Sequence, residues 1–114
     1  MNIKLDGFNS KEITLYTEQD IQPGMAVMIA EGYKAIIPGA NTRFIGICTS
    51  RKGNYITVAV SGVVTTHCSS ENISVGYNCL SADGNGNLKL DNGALVETLI
   101  LEIDKENNII KILL

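Results

Sequence analysis

Tryptophan is missing from this 114-residue chain, aromatic residues make up only 5% of it, and His67 is its single histidine. So few aromatics leave no evident stacking platform for sugars or single-stranded nucleic acid. Charge is scarce too, at 18% of residues, with 9 basic against 12 acidic groups and a net charge of -3. The one adjacent basic pair is Arg51-Lys52. Phosphate binding needs several clustered cations, so a nucleic-acid partner is not expected. No apolar run approaches the roughly 20 residues of a membrane helix. Nor does a basic segment followed by an apolar one open the chain, which predicts a soluble protein without signal peptide or membrane partner, made in a cytoplasm. Cys48, Cys68 and Cys79 cannot all pair within one chain and show no CxxC spacing. They are expected to be reduced, structural thiols.

What the chain has is β pattern. Residues 43–64, RFIGICTSRKGNYITVAVSGVV, hold two apolar runs, 44–48 and 55–60, joined by the polar link 49–54 with its Gly-Asn turn signal. They predict a hairpin. Ile56, Val58 and Val60 alternate with Thr57, Ala59 and Ser61, giving one strongly apolar face. Gly62 interrupts the run before Val63-Val64 resume it, as at a bulge or at a bend that closes a small barrel.

The same grammar runs through the rest. Residues 1–10 suggest an edge strand or an arm that docks on a neighbour, and 11–17 continue as a strand. Pro23-Gly24 fit the second and third positions of a type II turn before the strand 25–30. Turns at Glu31-Gly32 and at 38–41 bracket the strand 33–37, and 65–72 read as a polar loop or strand end. Ile73-Ser74-Val75-Gly76 echoes Ile21-Gln22-Pro23-Gly24, each preceding a mainly apolar run; this is a shared turn device or a faint duplication. Glycine and asparagine turns at 83–87 and 91–93 flank Leu88-Lys89-Leu90, and strands at 95–103 and 109–114 close the chain. No segment combines caps with a sustained helical period. The expected fold is all-β: one domain over residues 1–114, a small antiparallel barrel or sandwich of about ten short strands without substantial helix.

Candidate chemistry is thin. His67 and Cys68 are neighbours, so on a strand they point to opposite faces and cannot share one ion unless the backbone turns. A zinc site drawn from His67, Cys48, Cys68 and Cys79 has no spacing behind it, and a Cys–His hydrolase has no nucleophile motif. Asp83-x-Asn85-x-Asn87 matches the start of a calcium loop, but Leu88 replaces its glycine and Ala94 its bidentate glutamate. A hairpin turn explains the same residues. Glu102 and Asp104 share a strand face, expected to be solvated. The sequence therefore assigns no catalytic, metal or cofactor residue, and a non-enzymatic protein is expected. The apolar tail Ile109-Ile110-Lys111-Ile112-Leu113-Leu114 reads as a strand buried on both faces, within the fold or against another subunit.

The order of five motifs resembles the small β proteins that decorate the heads of tailed bacteriophages. The motifs are I-x-x-G-x-x-V at 21–27, F-I-G-I at 44–47, V-x-V-S-G-V-V at 58–64, I-x-x-G-Y at 73–77 and D-G-x-G at 83–86. Residues 90–97 depart from the family's glycine-marked strand. The resemblance implies a capsid decoration or cement protein of a phage or prophage, bound outside the shell of major capsid protein as a homo-oligomer, a trimer being favoured. It transfers no binding residue. Physical grounds alone single out residues 1–10 and the C-terminal strand as contact regions, with avidity over many copies supplying much of the attachment. The alternatives are a phage tail or baseplate module, or a carbohydrate- or small-ligand-binding module. The last would use a polar-lined cavity, with Tyr16, Tyr33, Tyr55 and Tyr77 as its residues of interest.

Overall fold

The structure, a computed structural model, describes residues 11–94 and 97–114; the arm expected at 1–10 and the first two residues of the strand expected at 95–103 lie outside them. Among the described residues there are ten strands and no helix. They are β1 (Lys11–Tyr16), β2 (Ala26–Ala30), β3 (Lys34–Ile36), β4 (Gly46–Lys52), β5 (Tyr55–Ser61), β6 (Val63–His67), β7 (Gly76–Ala82), β8 (Leu88–Leu90), β9 (Glu97–Asp104) and β10 (Ile109–Leu113). The first five close into a barrel in the order β1-β3-β2-β4-β5, and the last five form an antiparallel sheet in the order β6-β10-β9-β7-β8. The all-β architecture expected from the sequence is present as a barrel joined to a sheet. Its strands are antiparallel but for one seam, where β1 and β3 run parallel through a single register pair, Tyr16 opposite Lys34.

The central hairpin forms, but its first strand is displaced from the apolar run 44–48: Phe44 and Ile45 precede it, and β4 starts at Gly46. β4 continues through Thr49, Ser50, Arg51 and Lys52, so the connection shrinks to Gly53-Asn54. Gly53 alone takes a positive φ (61°), as the first position of a II′ turn requires. Polar residues suit this part of β4 because a bulge between Cys48 and Ser50 puts Ser50 and Lys52 on the solvent side of the barrel. The turn before β2 has its expected form: Gly24 has φ 93° and the Met25 N–H donates to the Gln22 carbonyl at 3.1 Å. Gly62 (φ 95°) is a bend, and its role is to carry the chain out of the barrel and into the sheet. β6 then extends through Thr65, Thr66 and His67, so of the two expectations for this stretch, loop or strand end, these three residues are the strand end.

Two cores result. Leu15, Ile21, Val27, Ala35, Cys48, Ile56 and Val58 fill the barrel. On the other side of the same strands, Ala26, Ile47 and Ala59 form a row across β2, β4 and β5 that packs with Val64, Leu80, Ile100 and Ile112 of the sheet. Adjacent residues thus face different cores (Ala26 and Val27, Ile47 and Cys48, Val58 and Ala59), which is why these strands read as continuous apolar runs. Backbone bonds lock the layers together: Ala26 N–H donates to Gly86 O at 2.8 Å, and residues 41–42 exchange two bonds of 2.9 Å with Ala82. The Thr66 hydroxyl adds a 2.6 Å bond to Gly24 O.

β10 is a central strand of the sheet. Ile110 and Ile112 are buried against the second core, while Leu113 on the opposite face is 44% exposed. The tail is therefore not buried on both faces within this chain; the alternation of Ile110 and Ile112 with Lys111 and Leu113 sends only one face inward.

Candidate functional site

On the outside of the barrel, register brings together residues that are isolated in sequence. Leu15 and Ile56 point into the barrel core, so their neighbours Tyr16 and Tyr55 point out. Tyr16 lies opposite Lys34 on one side and Tyr55 on the other, and Tyr55 in turn lies opposite Lys52. The result is a transverse row, Lys34–Tyr16–Tyr55–Lys52, across β3, β1, β5 and β4. The two rings meet edge to face, with centroids 5.6 Å apart and planes at 69°. Tyr33 stands beside them: its carbonyl accepts from the Tyr16 N–H at 3.3 Å, and its side chain is 79% exposed. Tyr55 is 59% exposed. Lys34 approaches Glu18 at 3.8 Å, an exposed pair of little energetic weight, whereas Lys52 has no ion-pair partner among the described residues.

Arg51 sits in this cluster by sequence but does different work. It lies opposite Ile56, on the side that faces the barrel core, at the barrel's rim. Its Nη1 donates to Gln19 O at 2.7 Å and Ile21 O at 3.1 Å, and its Nε to Gly53 O at 2.8 Å. The guanidinium thus ties the turn and the 17–21 segment under the tyrosine row.

A second row crosses the outer face of the sheet: Val63, Leu113, Leu99 and Tyr77 lie opposite one another in turn on β6, β10, β9 and β7. Val63 is buried, and the row opens toward Tyr77, which is 70% exposed. Clefts of about 340, 350, 260 and 210 Å³ open on the surface, the second bordering Val63 and the fourth Leu113, and tyrosine lines none of these four. The third borders Ser81, whose buried hydroxyl has no hydrogen-bond partner.

The residues weighed for metal or thiol chemistry are dispersed. Cys48 lies in the barrel core and Cys68 in the second core, while Cys79 is half-buried. Burial pushes the Cys48 and Cys68 thiols up, against the weaker opposing effect of the Ser50 and Ser70 carbonyls that accept from them, so both stay protonated at neutral pH. His67 is exposed beside buried Cys68, the two on opposite sides of the strand end. Among the described residues no three His, Cys, Asp or Glu side chains gather as a metal-binding group. Glu102 pairs with Lys111 at 3.7 Å, and Asp104 accepts from the amides of the turn that follows it.

Asp83 is turned inward to its own loop. Its Oδ1 accepts from Asn85 N at 2.8 Å and Asn87 N at 3.1 Å, and its Oδ2 from Asn87 Nδ2 at 3.2 Å. Burial alone would raise its pKa, but the Asn85 and Asn87 amides and the Ser69 hydroxyl outweigh it and hold the carboxyl below its usual range. A depressed folded-state pKa contributes stability above the unfolded value of about 3.9 and loses it as pH falls through the folded one. Asp83→Asn is therefore expected to be less stable than wild type at pH 7. Paired urea unfolding at pH 7 and pH 3 should show the gap shrinking at the lower pH.

No protein-family model and no curated protein matches the chain. A solved structure does: the chain is similar to the head fiber gp8.5 N base of bacteriophage phi29. The TM-score is 0.70 at 16% sequence identity, over 92% of this chain and 93% of that one. The likeness is one of fold, and it runs through both the barrel and the sheet.

Proposed function

We propose that this chain is a non-enzymatic structural protein of a phage virion, attached to the outside of the head. The supporting observation is its shared fold with the phi29 head fiber base along nearly its whole length. A ten-strand framework with two cores and two exposed side-chain rows fits a part whose work is attachment. Its partner on this reading is the major capsid protein, and repetition over many shell sites lets a modest contact hold by avidity. Within that class, a cement protein would brace neighbouring capsomers, as a trimer, whereas a fiber base would anchor further chain; the fold match favours the base.

The test is sedimentation of an induced phage lysate from the source bacterium, with heads, tails and free pool probed for this protein. Many copies on heads, removable without loss of the shell, is the expected result. Recovery on tails alone, or only in the free pool, would overturn the proposal.

A further inference from the structure

We infer that the barrel wall bearing Lys34, Tyr16, Tyr55 and Lys52, with Tyr33 beside it, is the docking surface of this chain for a partner protein whose face offers acidic and carbonyl acceptors between apolar side chains. The inference rests on the head reading, under which that partner is the shell, and it names the surface used.

Composition is the first ground. The chain has four tyrosines, and three stand together at this end of the barrel. Tyrosine offers a large contact area at small entropy cost and is enriched where interfaces concentrate their binding energy. The row is also preorganised. Tyr16 and Tyr55 sit on paired strands and pack against each other, and Arg51 fixes the loops beneath them, so little ordering remains for binding to complete.

Shape and charge select the class of partner. None of the four clefts reaches these tyrosines, so they form an open wall, suited to another macromolecule's surface rather than to a small ligand. The edge-to-face rings offer no flat platform for a sugar. Residues 11–61 carry five cations against four carboxylates, whereas residues 62–114 carry three against seven. The barrel is therefore the half that an acidic surface repels least, and Lys34 and Lys52 at the two ends of the row are placed to meet carboxylates across it. The apolar row on the sheet lies in the acidic half and makes the natural control.

The experiment uses heads assembled without this protein, incubated with purified full-length chains and pelleted across a range of concentrations. The chains are wild type, the Tyr33→Ser/Tyr55→Ser double variant, Lys52→Glu, and Tyr77→Ser on the sheet row. Thermal melts of each confirm folding, which these exposed positions should preserve. Wild type and Tyr77→Ser are expected to bind alike, the double variant at least tenfold more weakly, and Lys52→Glu more weakly with the largest deficit at low salt. Equal binding by wild type, the double variant and Lys52→Glu would overturn the inference and leave the head reading standing. So would a loss in Tyr77→Ser as large as in the double variant. Wild type left in the supernatant would overturn both.

Discussion

Replacing Gly46 with alanine is expected to cost about 3–5 kcal/mol, at the upper end of what a single added methyl does. Gly46 opens β4 opposite Val27, where three strands pass within the layer that separates the two cores. A Cβ there would stand 2.2 Å from Ala59 O, 2.9 Å from Val58 Cγ1 and 3.0 Å from the Ala59 carbonyl carbon. Two of these three neighbours are backbone atoms of the adjoining strand, so no side-chain rotation relieves the clash. Gly46 is not held at positive φ, hence the penalty is one of space and not of backbone conformation. β4 and β5 would have to part at the point where β5 serves both cores. For a chain of this size the melting temperature should drop by roughly 10–20 °C, measurable by calorimetry. Gly39→Ala is the matched control: its Cβ would meet only Thr42 Cγ2, at 3.8 Å, and little change is expected.

The second large effect should come from Ile47→Ala, with a loss of about 3–4 kcal/mol. Ile47 is fully buried and is the one large side chain in the row Ala26–Ile47–Ala59 on which the sheet rests. Truncation removes three carbons from a site flanked by two alanines, which have nothing to swing into the space. The cost is then the lost transfer energy plus most of a cavity term. Ile47→Val, which removes one carbon, should cost about 1 kcal/mol. Denaturant midpoints of the three proteins, with unchanged slopes, would establish the gradation. Similar midpoints for wild type and the alanine variant would mean that the sheet settles onto the barrel without this contact.

Much of the fold was legible because its signals are local. Ile56, Val58 and their alternating neighbours identify β5, Pro23-Gly24 identify the turn before β2, and Gly53-Asn54 marks the hairpin. Where local chemistry and tertiary position part, composition misleads. Thr49 to Lys52 look like loop because they are polar, yet they are strand, with Thr49, Ser50 and Lys52 exposed and Arg51 on the core side bonded to neighbouring carbonyls. Thr65 to His67, polar too, read equally as loop or strand end, and they are the end of β6. Pairing was not legible at all: alternation says which face a residue takes, not which strand lies beside it, so the parallel seam and the two-layer arrangement had no signature. The candidate surface suffered most. Lys34, Tyr16, Tyr55 and Lys52 come from four strands, and only the barrel's register makes neighbours of them. As isolated residues the four tyrosines suggest only the lining of a ligand cavity; Tyr16, Tyr33 and Tyr55 instead meet on an open wall, and Tyr77 stands apart on the sheet.

The parallel seam between β1 and β3 has a mechanical consequence. Every other joint of the barrel is a ladder of two or more register pairs, whereas this one is a single pair reinforced by the Thr17 hydroxyl on Ala35 O at 2.9 Å. It is the latch of the barrel. When the structure breathes, β1 should leave β3 as a flap still hinged on β5, carrying Tyr16 away from Lys34 while Tyr55 stays on the hinge strand. A body that grips all three at once would hold the latch shut, so attachment would also tighten the part being attached.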